Sequence, residues 1–97
     1  MRQVDKDTQY FWDWGNELTI CSNTKIEKEG DTLLLYLHGN LIARKTDGVT
    51  EINDCGWGTS VTARRLSAIT GERVSFSKRD GFCFFRGQPI DNKWIQV

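Results

Sequence analysis

The sequence contains a short apolar run, TLLLYLH at residues 32–38, which is followed by Gly39-Asn40 and by a second run, LIARK, at residues 41–45. The first run is too short for most helices and is bounded by turn residues on both sides, which is typical of a buried strand. A pair that begins with glycine between two apolar runs is typical of a two-residue type II′ hairpin turn. The sequence therefore predicts an antiparallel hairpin at the centre of a sheet.

Further strand patterns extend this hairpin into a meander. Turn residues occur at Thr46-Asp47-Gly48 and at Asp80-Gly81, each between segments that carry β-branched or aromatic residues. The additional predicted strands, the last of them an edge strand, are residues 17–22, 24–27, 49–53, 73–77, 82–86 and 93–97.

One helix is predicted, over residues 61–70. Thr59 or Ser60 can cap its start, and Gly71 can end it. Its core-facing positions, at i, i+4 and i+7, are Thr62, Leu66 and Ile69. The predicted fold class is α+β: a small single domain of mainly antiparallel meander and hairpins, with one short helix packed on the sheet.

The chain of 97 residues has room for one compact domain. Residues 17–97 are expected to form this domain. Residues 1–16 begin polar and are predicted to be a loose N-terminal arm that carries an aromatic cluster. No apolar run approaches the ~20 residues of a membrane span, and the first residues lack a secretory signal, so no membrane association is expected.

Candidate catalytic and metal-ligating residues are few. Cys21, Cys55 and Cys83 are far apart in the sequence, which favours reduced thiols over a zinc site or a redox pair. His38 could activate one of these thiols as a base, but its place beside a turn favours a structural role. The segment GWGTS at residues 56–60 is not a nucleophile elbow. We expect no enzyme, no metal and no cofactor.

Charge is unevenly distributed along a chain whose 13 basic and 13 acidic residues cancel. Residues 1–60 hold 6 basic and 10 acidic side chains, and residues 61–97 hold 7 and 3. Basic residues of the second part could form a patch for phosphates or for an acidic protein face, or they could be ordinary surface residues. The candidate nucleic-acid-binding residues are Arg64, Arg65, Arg73, Lys78, Arg79 and Arg86.

The aromatic cluster is a second candidate binding surface. Its members Tyr10, Phe11, Trp12 and Trp14 cannot all face one side of a strand, so some are expected to be exposed and to anchor a protein partner. Alternatively, one of the two Trp side chains covers the core. Stacking on nucleic-acid bases is a third interpretation, opposed by the acidic residues around the cluster. Arg64 and Arg65, on the predicted helix, are a second candidate surface for binding a protein partner.

Two motifs resemble small uncharacterised proteins of bacteriophages and prophages. These are LHGNLIA at residues 37–43 and GWGTSVTARRL at residues 56–66, within a likeness that covers about residues 32–87. Ser67 departs from the pattern, where asparagine is expected after the RL pair. The resemblance implies a phage origin and a location in the host bacterial cytoplasm, and it brings no catalytic residues.

These observations favour a non-enzymatic phage accessory protein. We expect it to bind a bacterial host protein, in a defence or nucleic-acid-processing machine, and to inhibit or redirect it. One alternative is a small DNA- or RNA-binding regulator that uses the basic patch. Another is a small phage structural or assembly component. The sequence leaves open the identity of the partner and the oligomeric state.

Overall fold

The computed structural model describes residues 2–56 and 59–97. Two helices and mostly antiparallel strands confirm the predicted α+β class. In chain order the elements are α1 (Gln3–Trp14), β1 (Leu18–Cys21), β2 (Thr24–Glu29), β3 (Thr32–Leu37), β4 (Asn40–Thr46), β5 (Val49–Ile52), α2 (Ser60–Thr70), β6 (Val74–Ser77), β7 (Phe82–Phe85), β8 (Gln88–Pro89) and β9 (Ile95–Gln96).

The larger sheet has six strands in the order β1-β2-β3-β4-β5-β9. The predicted meander is confirmed, with β3 between β2 and β4, and the predicted C-terminal edge strand pairs with β5. Leu35 lies at the centre of this sheet, opposite Ile26 on one side and Ala43 on the other. These three side chains are buried, so they belong to the inner face of the sheet.

The hairpin of residues 73–86 does not join the main sheet. It forms a second, three-stranded sheet in the order β6-β7-β8, where β8 is a short strand that the sequence did not predict. The single sheet of the prediction is therefore corrected to two. Phe85 and Val74 of the second sheet are buried in the same core as the main sheet.

The central hairpin turn differs from the predicted one by one residue. Leu37 pairs with Asn40, so the two loop residues are His38 and Gly39, with φ of 51° and 78°. Positive φ at both positions is the type I′ geometry, whereas type II′ needs it only at the first. Type I′ turns match the right-handed twist of the flanking strands, which explains why a non-glycine residue is held in this region.

The prediction of a loose conformation for residues 1–16, and of a single helix in the chain, is wrong. Residues 3–14 form helix α1, which ends at Gly15 in the left-handed conformation. The Gly15 N–H donates to the carbonyls of Phe11 and Trp12. Asp5, Thr8 and Trp12 are buried on one face at i, i+3 and i+7. Two of these three are polar, so the helical pattern was not visible as an apolar stripe.

The core lies between the inner face of the main sheet, the two helices and the second sheet. Trp12, Leu66 and Phe85 contribute to it from α1, α2 and β7. The predicted inward face of α2 is confirmed, because Thr62, Leu66 and Ile69 are all buried. Helix α1 is thus part of the packed fold and presents its other face to solvent.

Candidate functional site

A buried ion pair holds α1 against α2. Arg65 donates from Nη1 to Oδ1 of Asp5 at 2.6 Å, and each side chain is only 5% exposed. Arg65 also donates from Nε to the Thr24 hydroxyl on β2, at 3.0 Å. A charge buried to this degree needs such partners, because desolvation would otherwise be very costly. Arg65 therefore joins three elements and is not accessible to a partner.

The hydrogen-bond network continues from Thr24 to the end of β1. The Thr24 hydroxyl and the Cys21 thiol both donate to the side-chain oxygen of Asn23, at 2.7 and 3.0 Å. Burial raises the pKa of Cys21, but hydrogen bonds from Asn23 and Thr24 and the charge of Arg65 outweigh it, so the pKa is lowered. Cys21 is the cysteine with the greatest thiolate character among the three.

Trp12 fixes α1 to the main sheet. Its side chain is 1% exposed, and the Lys45 ammonium lies 5.2 Å from the centre of its ring. The same ammonium donates to the Trp12 carbonyl at 2.9 Å. The alternative in which one Trp side chain covers the core therefore describes Trp12.

Tyr10 and Trp14 lie on the solvent side of α1 and form what we call the aromatic pair. They are 52% and 66% exposed, although large aromatic side chains usually contribute to the core. Spaced at i and i+4, their rings stack with centroids 5.5 Å apart. Phe11 is half-buried and packs edge-on against Tyr10, at 5.0 Å. Tyr10, Phe11 and Trp14 thus form a continuous group of aromatic rings, of which Phe11 lies nearest the core.

Charged side chains lie near the aromatic pair in the sequence of α1. Asp7 lies three residues before Tyr10 and exposed Asp13 one residue before Trp14, while exposed Lys6 lies four residues before Tyr10. Glu17, also exposed, follows the end of the helix and accepts a hydrogen bond from the Lys28 backbone N–H. No ion pair between these carboxylates and a basic side chain occurs among the described residues.

Arg64 lies elsewhere on α2, separate from the aromatic pair. It lines an open groove together with Arg2 and Asp5 at the start of α1. Its Nε is buried and has no hydrogen-bond partner among the described residues. Arg2 also lines this groove, and no sequence pattern distinguishes it as a single arginine near the chain start.

The basic residues of the second half are spread over several elements, and Arg65 and Arg86 form ion pairs within the chain. Arg86 makes two hydrogen bonds to Glu72, of 2.9 and 2.6 Å, which lower the pKa of Glu72 and raise that of Arg86. Arg73 precedes β6, whereas Lys78 and Arg79 follow it, so roughly 15 Å of strand separates them. Arg65 is also engaged, in its buried ion pair with Asp5. The six predicted nucleic-acid-binding residues therefore lie on α2, at the two ends of β6 and after β7.

The surroundings of the Cys55 and Cys83 thiols favour a structural role for both. Cys83 is completely buried, and burial together with the Asp54 carboxylate raises its pKa to about 12. Cys55 donates to the Leu41 carbonyl, and burial and Asp54 raise its pKa too.

His38 is exposed in its turn and lines a small cavity with Cys21. Within residues 2–56 and 59–97 there is no group of three metal-ligating side chains.

Asp54 is a structural residue that the sequence analysis missed. Its side chain is buried, and its two oxygens accept backbone N–H groups from Gly56, Cys83 and Asn92 at 2.9 Å each. It thereby joins the end of β5 to β7 and to the C-terminal turn. The only sequence signal was an aspartate just after a strand, which is common in turns.

Trp57 and Gly58, part of the second phage-like motif, lie outside the described residues.

Comparison with known proteins identifies a family. Residues 1–96 match the model of a family described as Kyanoviridae Gp96 protein. No curated protein and no solved structure is significantly similar to the chain. No helix in the described part of the chain is long and apolar enough to span a membrane.

Proposed function

Because the chain belongs to the Kyanoviridae Gp96 protein family and is therefore phage-encoded, we propose that it is a non-enzymatic accessory protein that binds a bacterial host protein through its aromatic pair. Binding would inhibit or redirect that host protein. The observation that carries this proposal is the exposed stack of Tyr10 and Trp14 on a helix whose opposite face is fixed in the core.

Exposure is the first argument for an interface. A large aromatic side chain removes about 150–250 Å² from water when it is buried, and Tyr and Trp are enriched among residues that dominate binding energy. Tyr10 and Trp14 expose much of their aromatic surface on one side of a helix, and Phe11 lies half-buried beside Tyr10. This exposed surface is available for burial against a partner. Apart from the contact between the two rings, holding them in water adds little to the stability of the fold.

Rigidity is the second argument. Trp12, between the two exposed residues in sequence, is held by Lys45, and Asp5 at the other end of α1 is held by Arg65. Gly15 ends the helix with backbone hydrogen bonds, so both ends of α1 are fixed. A surface that is ordered before binding loses little conformational entropy on association.

Charge indicates the kind of partner. Around the aromatic pair the three carboxylates of Asp7, Asp13 and Glu17 outnumber the ammonium of Lys6, and this excess favours a partner face rich in lysine and arginine. Arginine would also stack on the exposed rings. Proteins that act on nucleic acids carry such basic faces, which supports a host nucleic-acid-processing or defence machine as the target.

A comparative affinity capture from host bacterial lysate tests this proposal. Three tagged proteins are used: wild type, the variant Tyr10→Ser/Trp14→Ser, and Val49→Ser as a matched control that removes another exposed apolar side chain. Nuclease is added and salt is moderate, and retained proteins are quantified by mass spectrometry. We expect a host protein that wild type and Val49→Ser retain and the double variant loses.

Other outcomes distinguish the alternatives. Retention of nucleic acid that is lost with salt, unchanged in the double variant, would favour the DNA- or RNA-binding regulator. A defined large oligomer of this chain in light scattering, with no host protein captured, would favour a phage structural or assembly component. Equal retention of the same host protein by all three proteins would show that the aromatic pair is not the interface.

A further inference from the structure

We propose that the groove between the start of α1 and helix α2 binds a small molecule that combines an oxyanion, phosphate or carboxylate, with an apolar group. The groove has a volume of about 570 Å³, within the usual range of small-molecule sites. We call it the cationic groove; its lining residues are Arg2, Asp5, Ala63, Arg64, Ser67, Ala68 and Val74.

The charges of the groove favour an anion. The Asp5 carboxylate is neutralised by its ion pair with Arg65. Arg2 and Arg64 therefore leave an excess of two positive charges, since neither has an ion-pair partner among the described residues. The guanidinium fork matches the two oxygens of a carboxylate or phosphate.

The unsatisfied Nε of Arg64 is the second observation. Buried donors in folded proteins nearly always have an acceptor, so an exception points to a missing partner. Arg64 lines the groove, and in the proposed complex its side chain reorients so that this donor reaches the bound oxyanion. Helix α1 adds to the same end of the groove an N-terminus that no side chain caps.

The floor of the groove is apolar. Ala63, Ala68 and Val74, each at most 5% exposed, form this closely packed floor, against which an apolar group of the ligand can lie. The Ser67 hydroxyl is already engaged, because it donates to the Ala63 carbonyl and accepts from the Val74 N–H. An oxyanion at the arginines thus lies beside a surface that favours burial of an apolar group.

Four probes test the proposal: phenyl phosphate, benzoate, inorganic phosphate and neutral benzyl alcohol. Binding is followed by calorimetry and by the NMR signal of the Arg64 Nε–H group. We expect phenyl phosphate or benzoate to shift this signal saturably and to bind at least tenfold more tightly than inorganic phosphate and benzyl alcohol. Whichever of the two binds more tightly identifies the anion as phosphate or carboxylate.

Arg64→Gln is expected to weaken binding of that probe at least tenfold. Arg79→Gln is the matched control, since it removes one positive charge from a side chain that is 94% exposed on a distant turn, and it should bind as wild type does. Arg2→Gln, at an exposed position, provides a second groove variant if Arg64→Gln does not fold. Absence of a saturable Arg64 shift, or equal weakening by Arg79→Gln and the groove variants, would overturn the proposal. Neither result depends on the aromatic pair.

Discussion

Asp5 and Arg65 are 60 residues apart in sequence, yet their side chains form a 2.6 Å ion pair that is almost completely buried between the two helices. This pair fixes the start of α1, while Trp12 fixes its other half. The aromatic pair therefore stands on a helix that is anchored at two points about 10 Å apart. A rigid support for an exposed aromatic surface is the structural basis of the proposed function.

Removing one partner of this ion pair should destabilise the fold strongly. We expect Asp5→Asn or Arg65→Met to lower the free energy of unfolding by about 3–5 kcal/mol, because each leaves a buried group without its partner. Replacing both, as Asp5→Leu/Arg65→Met, should cost less than the sum of the single changes. Urea denaturation measures all three, and single-variant losses below about 1 kcal/mol would contradict a structural role.

The two tryptophans of α1 should separate stability from binding. Trp12→Ala is expected to lower the free energy of unfolding by about 3–5 kcal/mol, since it removes a side chain that is 1% exposed. Trp14→Ala, at a side chain that is 66% exposed, should change it by less than about 0.5 kcal/mol. Thermal and urea unfolding of the two variants check this difference. Similar losses in both would mean that Trp14 is also part of the packed fold.

Alkylation should distinguish the three cysteines. Iodoacetamide should modify Cys21 first, because its pKa is lowered and its thiol is partly exposed. Cys83 should react only on unfolding, because it is buried and its pKa is raised to about 12. Peptide mass spectrometry over a time course gives the order of modification. Modification of Cys83 at the rate of Cys21 in the folded protein would contradict its burial.

The raised pKa of Cys83 also predicts a loss of stability in alkali. Its thiol stays protonated in the folded state up to pH about 12, whereas in the unfolded chain it ionises near pH ~8.5. Between these values the unfolded state binds fewer protons, so the free energy of unfolding falls as pH rises. Cys83→Ala should make this decline shallower than in wild type, and an unchanged slope in urea denaturation would refute the assignment.

Asp54→Asn should weaken the junction between β5, β7 and the C-terminal turn. The carboxylate accepts three backbone N–H groups, and an amide can offer only one oxygen to them. We expect a loss of about 1.5–3 kcal/mol in the free energy of unfolding. Faster amide hydrogen exchange at Cys83 and Asn92 should accompany it, and full protection of both amides in the variant would contradict this role.

Much of the fold could be predicted because strand patterns are local. The run that became β3, the Asp47-Gly48 turn and the apolar face of α2 each identify themselves within a few residues. Helix α1 could not be found in this way, because its buried face contains Asp5 and Thr8, whose burial depends on the distant Arg65 and on the backbone. The division of the β strands into two sheets likewise depends on long-range pairing.

The candidate surfaces were predicted only in part. Residue type identified the aromatic cluster and the arginines of α2, but not which of them would be accessible. Adjacent residues on a helix face different directions, so Trp12 enters the core while Trp14 remains in water. Arg64 and Arg65 divide similarly, one lining the cationic groove and the other buried in an ion pair.

Trp14 is the proposed anchor for a host protein, and the affinity of the captured partner for Trp14 variants measures this role by itself. Calorimetry would compare wild type, Trp14→Ala and the exposed control Val49→Ala. For an anchor residue we predict a loss of at least about 2 kcal/mol, roughly 30-fold in Kd, in Trp14→Ala and less than about threefold in Val49→Ala. Equal affinity of wild type and a folded Trp14→Ala would show that Trp14 does not anchor the host protein.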